Sequence, residues 1–207
     1  MYKKIRYLGC TVHIYEFNQK THRMAIETGV AGKLEPLSKM AKGAKVRVNC
    51  GYFGKGTEHM GTWSKDWTTV VYDDNGDQLL HFEEYNERDE LPSTLTFGAA
   101  FTVYDEGLPS IRNTKPFPHY NQRHPRTMIA QKPNRNILLI VVEGRRAGEA
   151  GMTAMGLASL CKYLNVRCAV TFDGGGSSEM IVGEKIVNKP SDGGERRIGS
   201  CFAVYRK

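Results

Sequence analysis

An apolar run from Cys168 to Phe172 leads directly into Asp173-Gly174-Gly175-Gly176-Ser177-Ser178-Glu179-Met180. The run reads as a buried strand, which sets Asp173 at its mouth with three glycines and two hydroxyls behind it. Glycines let backbone approach a ligand closely, and successive turn N–H groups can cradle an anion. A bare triglycine is as often a structural turn, but the flanking Asp and Ser-Ser favour a binding loop. Other apolar runs end in the same way. Asn49 follows the run from Lys45 to Val48 and opens Cys50-Gly51-Tyr52-Phe53. Arg126-Thr127 begins one run, Glu143 closes Ile137 to Val142, and Pro190-Ser191-Asp192-Gly193-Gly194-Glu195-Arg196 is a further polar loop.

If one sheet gathers these ends, the site holds carboxylates, arginines, an amide and hydroxyls, a set suited to a phosphorylated, hydroxyl-rich substrate. Arg126 or Arg196 can fork onto a phosphate. Asp173, Glu143 or Asp192 can serve as general acid or base, or stabilise an oxocarbenium-like centre. Asn49 and the N–H groups around Gly51 and Gly174 to Gly176 can fix hydroxyls or phosphate oxygens. Asp173 or Asp192 beside phosphate oxygens would also make a hard-ligand set for Ca2+ or Mg2+. Each residue has a plainer reading. A lone arginine is usually a surface charge, Asp192 before glycine a turn residue, Glu143 a partner for Arg145 or Arg146, and Asn49 an Asx turn.

Several chemistries are poorly served. Gly29-Val30-Ala31-Gly32-Lys33-Leu34 is too short for a phosphate-binding P-loop and lacks its hydroxyl. There is no H-E-x-x-H, no G-x-S-x-G around Ser177 or Ser178, and no metal-ligand spacing among the six histidines. His119 and His124 fall in a long turn-rich segment, Asp105 to Pro125, where they could reach substrate. The formal charge of +7 suits an anionic partner, yet the basic residues do not interleave with aromatics as in an RNA-binding motif.

The elements that must position these residues are mostly strands: Tyr7 to Phe17, Met24 to Thr28, Lys45 to Val48, Thr68 to Tyr72 and Gln78 to Phe82 around an Asp73-Asp74-Asn75-Gly76 turn, Leu95 to Tyr104, Arg126 to Gln131, Ile137 to Val142, a hairpin over Met180 to Val187, and Ile198 to Tyr205. A short helix is expected over Leu34 to Ala41. The best helix runs from Thr153 to Leu164, with Met155, Leu157, Leu160, Cys161 and Leu164 expected on one apolar face. The expectation is an α+β fold: a mixed, strand-rich sheet with one main helix packed on it, in a single domain over residues 1–207. The odd count of five cysteines, without C-x-x-C, predicts buried free thiols and a reducing compartment. No stretch has the length of a membrane span, and Met1 to Tyr7 is basic without an apolar signal-peptide core. A cytoplasmic or phage-encoded protein is expected.

Taken in order, Asn49-Cys50-Gly51-Tyr52-Phe53, Pro125-Arg126-Thr127-Met128-Ile129-Ala130, Glu143-Gly144-Arg145, Ala150-Gly151-Met152-Thr153, Phe172 to Met180 and Pro190 to Arg196 resemble the phosphodiester glycosidase domain family. The resemblance runs from about residue 45 to the C-terminus. It implies hydrolysis of a sugar-1-phosphodiester, such as one of N-acetylglucosamine, to free sugar and a phosphomonoester. It also implies that Asn49, Arg126, Asp173, Ser177, Ser178, Asp192 and Arg196 line the site. The chain departs from the family pattern at Cys50, where glycine is usual, at Glu143, where aspartate is common, at Ala150 and at Gly199-Ser200. Two further readings use the same residues: a non-catalytic module that grips a phosphate-linked glycan, and a phosphodiesterase or nuclease that cleaves at P–O.

Overall fold

The computed structural model describes residues 1–30, 33–53, 68–72, 80–84, 95–112, 114 and 117–207, with the backbone alone for 68–72, 80–84 and 95–96. The first strands are β1 (Tyr2–Tyr7), β2 (Cys10–Phe17), β3 (His22–Thr28), β4 (Glu35–Pro36), β5 (Val46–Asn49), β6 (Thr68–Tyr72), β7 (Leu80–Glu84), β8 (Leu95–Ala99), β9 (Thr102–Asp105) and β10 (Leu108–Arg112). After β11 (Arg126–Gln131) and β12 (Ile137–Val142) comes the helix α1 (Ala154–Tyr163), then β13 (Cys168–Thr171), β14 (Met180–Val182), β15 (Lys185–Ile186), β16 (Arg197–Ile198) and β17 (Ser200–Arg206). The larger sheets have the orders β1-β2-β12-β11-β13-β9-β10 and β15-β14-β5-β17-β3. Strands β7-β6-β8 and β16-β4 form smaller ones.

Among the described residues the fold is strand-rich with one α-helix, and sheets dominate it. The expected mixed sheet is corrected: every pairing among the described strands is antiparallel. Short connections enforce this for the consecutive pairs, since a link such as 132–136 between β11 and β12 can reverse the chain but cannot make a parallel crossover.

Two apolar layers explain the central strands. Residues of β11 and β12 are buried on both faces. Met128, Leu138, Ile140 and Val142 pack toward α1 with Leu157, Leu160 and Cys161. Ile129, Leu139, Val141 and Val170 pack on the other face against Val46, Val48, Phe202 and Val204 of the five-stranded sheet. The uninterrupted apolar sequence of β12 is therefore that of a strand covered on both sides. The helix starts where Thr153 accepts a hydrogen bond from the Gly156 N–H at 3.1 Å. It stops at Asn165, in left-handed backbone at φ 53°, with the Schellman pair Val166 N–H to Cys161 O and Asn165 N–H to Lys162 O.

Three expectations change. The expected strand Tyr7 to Phe17 is split: Tyr7 ends the first arm of a hairpin that begins at Tyr2, Leu8-Gly9 turn at positive φ, and Cys10–Phe17 is the second arm. The Leu34 to Ala41 helix is replaced by β4 and a single 3-10 turn, Leu37–Lys39, because Pro36 is extended. Leu95 to Tyr104 divides into β8 and β9, which join different sheets. The expected turn at Asp73 to Gly76 lies outside the described residues. All five cysteines are buried free thiols. Among the described residues no helix is long and apolar enough to cross a membrane.

Candidate active site

Antiparallel pairing brings the start of β11 to the end of β13. Met128 faces Thr171 across the ladder, and the Phe172 N–H donates to Thr127 O at 2.9 Å. Arg126 and Asp173 therefore emerge at the same end of the seven-stranded sheet. The end of β5 joins them through Asn49. Its Nδ2 donates to the Asp173 carbonyl at 2.6 Å, and its Oδ1 accepts from the Thr127 hydroxyl at 2.6 Å and the Glu179 N–H at 3.2 Å. Asn49 is almost wholly buried and works as a clasp between the two sheets. A cleft of about 190 Å³ opens here, lined by Asp173, the triglycine turn, Arg126, Arg145, Arg196, Tyr52, His119 and His124.

Asp173 is half-buried and, among the described residues, is the one carboxylate in this lining. Burial pushes its pKa up to about 6. The Ser177 hydroxyl, the Arg196 charge, the Gly174 N–H and the Arg145 charge pull against that rise. Tyr52 also lines the cleft; burial first, and the Asp173 charge second, raise its phenol, while Arg126 opposes them.

The arginines differ in what holds them. Arg126 lies over the Phe101 ring and donates through Nε to Met152 O and through Nη2 to the carbonyls of His119, Tyr120 and Gln122. Its burial outweighs Tyr52's support, and with Arg145's charge brings its pKa down to about 10. Arg196 donates from Nε and Nη2 to Asp192 Oδ2, and from Nη1 to Ser177 Oγ at 3.4 Å. Arg145 donates from Nε to His124 Nδ1 at 3.1 Å. An arginine cannot accept, so the His124 proton sits on Nε2. Burial, then Arg145, Arg126 and His119, lower His124 to about pKa 4, which keeps it neutral at physiological pH.

The triglycine turn is shaped by these side chains. Gly175 has φ +63°, and a Cβ there would lie 3.0 Å from Arg145 Nη1. A Cβ on Gly176 would overlap the Asp192 carboxylate and Arg196 Nη2.

Of the residues expected from sequence, Asp173, Gly174, Gly175, Gly176, Arg126 and Arg196 meet at the cleft. Ser177 and Ser178 are buried behind the turn, Ser177 touching Asp173 and Arg196. Thr127 and Asn49 are bound to each other beneath it, and the Gly51 N–H donates to Ser200 Oγ. Asp192 is committed to Arg196. Glu143 is displaced from the site by strand parity. Val142 faces the helix layer, so the next side chain turns to the inter-sheet side. There it is buried, accepting from His13 Nε2 at 2.8 Å and the Lys189 N–H at 3.0 Å, and pairing with Arg146. His13 is neutral, since burial lowers its pKa despite Glu143, and its Nδ1 accepts from the Tyr2 hydroxyl at 2.8 Å. Among the described residues no three His, Cys, Asp or Glu side chains converge as a metal site. Arg145 and Tyr52 lie inside the sequence blocks already singled out, but neither stands out there as a site residue.

The profile of the phosphodiester glycosidase family matches residues 42–205. The SPbeta prophage-derived uncharacterized protein YomE of Bacillus subtilis (strain 168) is 28% identical over 213 residues, covering 92% of this chain and 32% of that protein. The chain thus spans about a third of that relative's length. The zebrafish N-acetylglucosamine-1-phosphodiester α-N-acetylglucosaminidase catalytic domain, auto-inhibited by its pro-peptide, superposes with a TM-score of 0.81 at 18% identity, covering 100% of this chain and 82% of that one. A hypothetical protein from Synechocystis superposes with a TM-score of 0.77 at 13% identity, covering 100% and 61%. These solved structures share the fold, and the profile match places the chain in the phosphodiester glycosidase family.

Proposed function

We propose that this chain hydrolyses the glycosyl–phosphate bond of a sugar-1-phosphodiester. The observation that carries the reading is a half-buried carboxylate, Asp173, facing the guanidinium groups of Arg126, Arg145 and Arg196 in one small cleft. In this reading the ionised Asp173 stabilises the positive charge that builds at the anomeric carbon and takes up a proton from the incoming water. Water oxygen bonds to the anomeric carbon, the carbon–oxygen bond to phosphate breaks, and its electron pair leaves on the phosphate oxygen. The guanidinium groups hold that charge. Phosphate is a fair leaving group, so the neutral His124 need not protonate it.

The zebrafish enzyme acts on N-acetylglucosamine-1-phosphodiesters by name, which makes that sugar the first to try. The test is incubation with UDP-N-acetylglucosamine and a panel of sugar-1-phosphodiesters, assayed for free reducing sugar. Release by the native protein, and none by Asp173→Asn with its fold intact, is the expected result. Near-full release by that variant would remove Asp173 from the chemistry. Binding of a phosphate-linked glycan without release would favour the non-catalytic module, and cleavage at P–O without a reducing end the phosphodiesterase.

A further inference from the structure

Arg145 differs from the other cleft arginines in what its backbone and its side chain are doing. Its backbone is left-handed, φ 57°, a region that non-glycine residues enter rarely and that clusters at functional sites. The segment around it is built to hold that turn. Arg146 and Glu149 exchange backbone hydrogen bonds at 3.1 and 2.9 Å. Glu149 accepts from the Thr11 N–H and hydroxyl at 2.6 and 2.7 Å and pairs with Arg6, while Arg146 is paired with Glu143. Gly144 leaves no room for a Cβ, which would sit 2.7 Å from Pro125 N and 2.8 Å from Gly151 Cα. Gly151 has φ +87° and packs on the His124 backbone, which is tied to Met152 from both sides. The turn thus aims Arg145 across the triglycine loop, and His124 Nδ1 fixes its Nε.

The terminal nitrogens are left available. Nη1 and Nη2 lie over Gly175, and no carboxylate or carbonyl holds them among the described residues. By contrast, Arg126 donates Nε and Nη2 to backbone carbonyls, and Arg196 donates all three nitrogens to Asp192 and Ser177. A guanidinium with a free, oriented pair of N–H edges is matched to two oxygens of one phosphoryl group. Resting on the phosphodiester glycosidase reading, we propose that Arg145 is the principal anchor for the substrate phosphoryl group, with Arg126 and Arg196 shaping the cleft around it. The ligand chemistry is a tetrahedral oxyanion presenting two oxygens to one fork. His124 is a positioning residue for that fork.

The test uses inorganic phosphate as the probe, titrated calorimetrically at low ionic strength into the full chain, so it does not depend on turnover. Arg145→Gly removes the guanidinium and suits the left-handed backbone, so it keeps the fold, which a thermal melt verifies. The expected result is measurable phosphate binding by the native protein and a loss of about 10-fold or more in Arg145→Gly. Arg145→Lys, a point charge without the fork, should recover part of that loss. No binding by the native protein, or a smaller loss in a folded Arg145→Gly, overturns the assignment. Turnover on the sugar-1-phosphodiester panel is read separately. Phosphate binding through Arg145 with no reducing sugar released would leave the anchor standing and remove the glycosidase reading. Turnover with unchanged KM and unchanged phosphate affinity in Arg145→Gly would do the reverse.

Discussion

Asp173 is the residue at which the chemistry should be most visible to pH. Its carboxyl is protonated below about 6 in the native protein, because burial outweighs the Ser177, Gly174 and arginine contacts that favour the ionised form. If the ionised carboxylate works at the anomeric carbon, kcat/KM should rise with pH and level off above about 6. A profile that instead falls above 6 would mean that Asp173 acts as an acid. Glu143 calls for a different experiment. It is buried, receives His13 and the Lys189 N–H, and pairs with Arg146, all away from the cleft lining. Glu143→Gln keeps an acceptor for His13 and Lys189 but leaves Arg146 without its ion partner. The expected outcome is a loss of about 1–3 kcal/mol in chemical denaturation, with turnover within about threefold of the native value. A collapse of kcat in a folded variant would return Glu143 to the reaction.

At the level of elements, the cleft depends on a glycine turn packed against a polar loop. Gly176 approaches the Asp192–Arg196 pair so closely that no Cβ fits. Gly176→Ala must therefore push that pair aside, taking Arg196 from Ser177 and weakening the support of Asp173. A displacement of about 1 Å at a reacting group can cost up to about 100-fold in rate, and a measurable fall in kcat/KM of the folded variant is the expected result. Wild-type kcat and KM would show that the pair does not order the site. Much of this arrangement is legible in sequence, because apolar runs mark the strands and the Asp-Gly-Gly-Gly-Ser-Ser block marks the turn at the end of one. What sequence does not carry is register and facing. Glu143 and Arg126 both sit at strand ends, yet the pairing of Arg126 with Val142 sends the Glu143 side chain to the opposite face. The β1–β2 turn escapes notice for a related reason, since Leu8 at φ 48° is no turn residue by composition. Arg145 is hidden in the same way. Its place in the cleft comes from a left-handed turn anchored by Thr11, Arg6 and Glu143, none of them near it in sequence apart from Glu143.

Across the whole molecule, the site loop from Asn188 to Arg197 is fastened to both layers, so site integrity and global stability are linked. On one side Glu143 holds the Lys189 N–H, and Asn188 bridges the Met180 N–H and the Ser178 carbonyl. On the other, Glu195 accepts from the Ser38 N–H at 2.8 Å and shares a hydrogen bond with Glu179, which is buried behind the triglycine turn. Burial first, and Glu195 second, push the Glu179 carboxyl up to about 8, while Arg47 opposes them. For Glu195, burial works upward, but the Ser38 contacts, Glu179 and Arg47 bring it down overall. One proton is therefore held between the two, on Glu179, at neutral pH. In the unfolded chain Glu179 titrates near its ordinary 4.5. The native state keeps a proton that the unfolded state has released, so the stabilisation is complete below about 4.5 and is lost as pH rises through about 8. The Asp173 window ends near 6, which separates the two groups. Denaturant melts between pH 6.5 and 9 should show the native protein losing stability with rising pH, while Glu179→Gln, uncharged throughout, loses less. Parallel curves for the two proteins would place the proton elsewhere and leave the loop held by Glu143 and Asn188 alone.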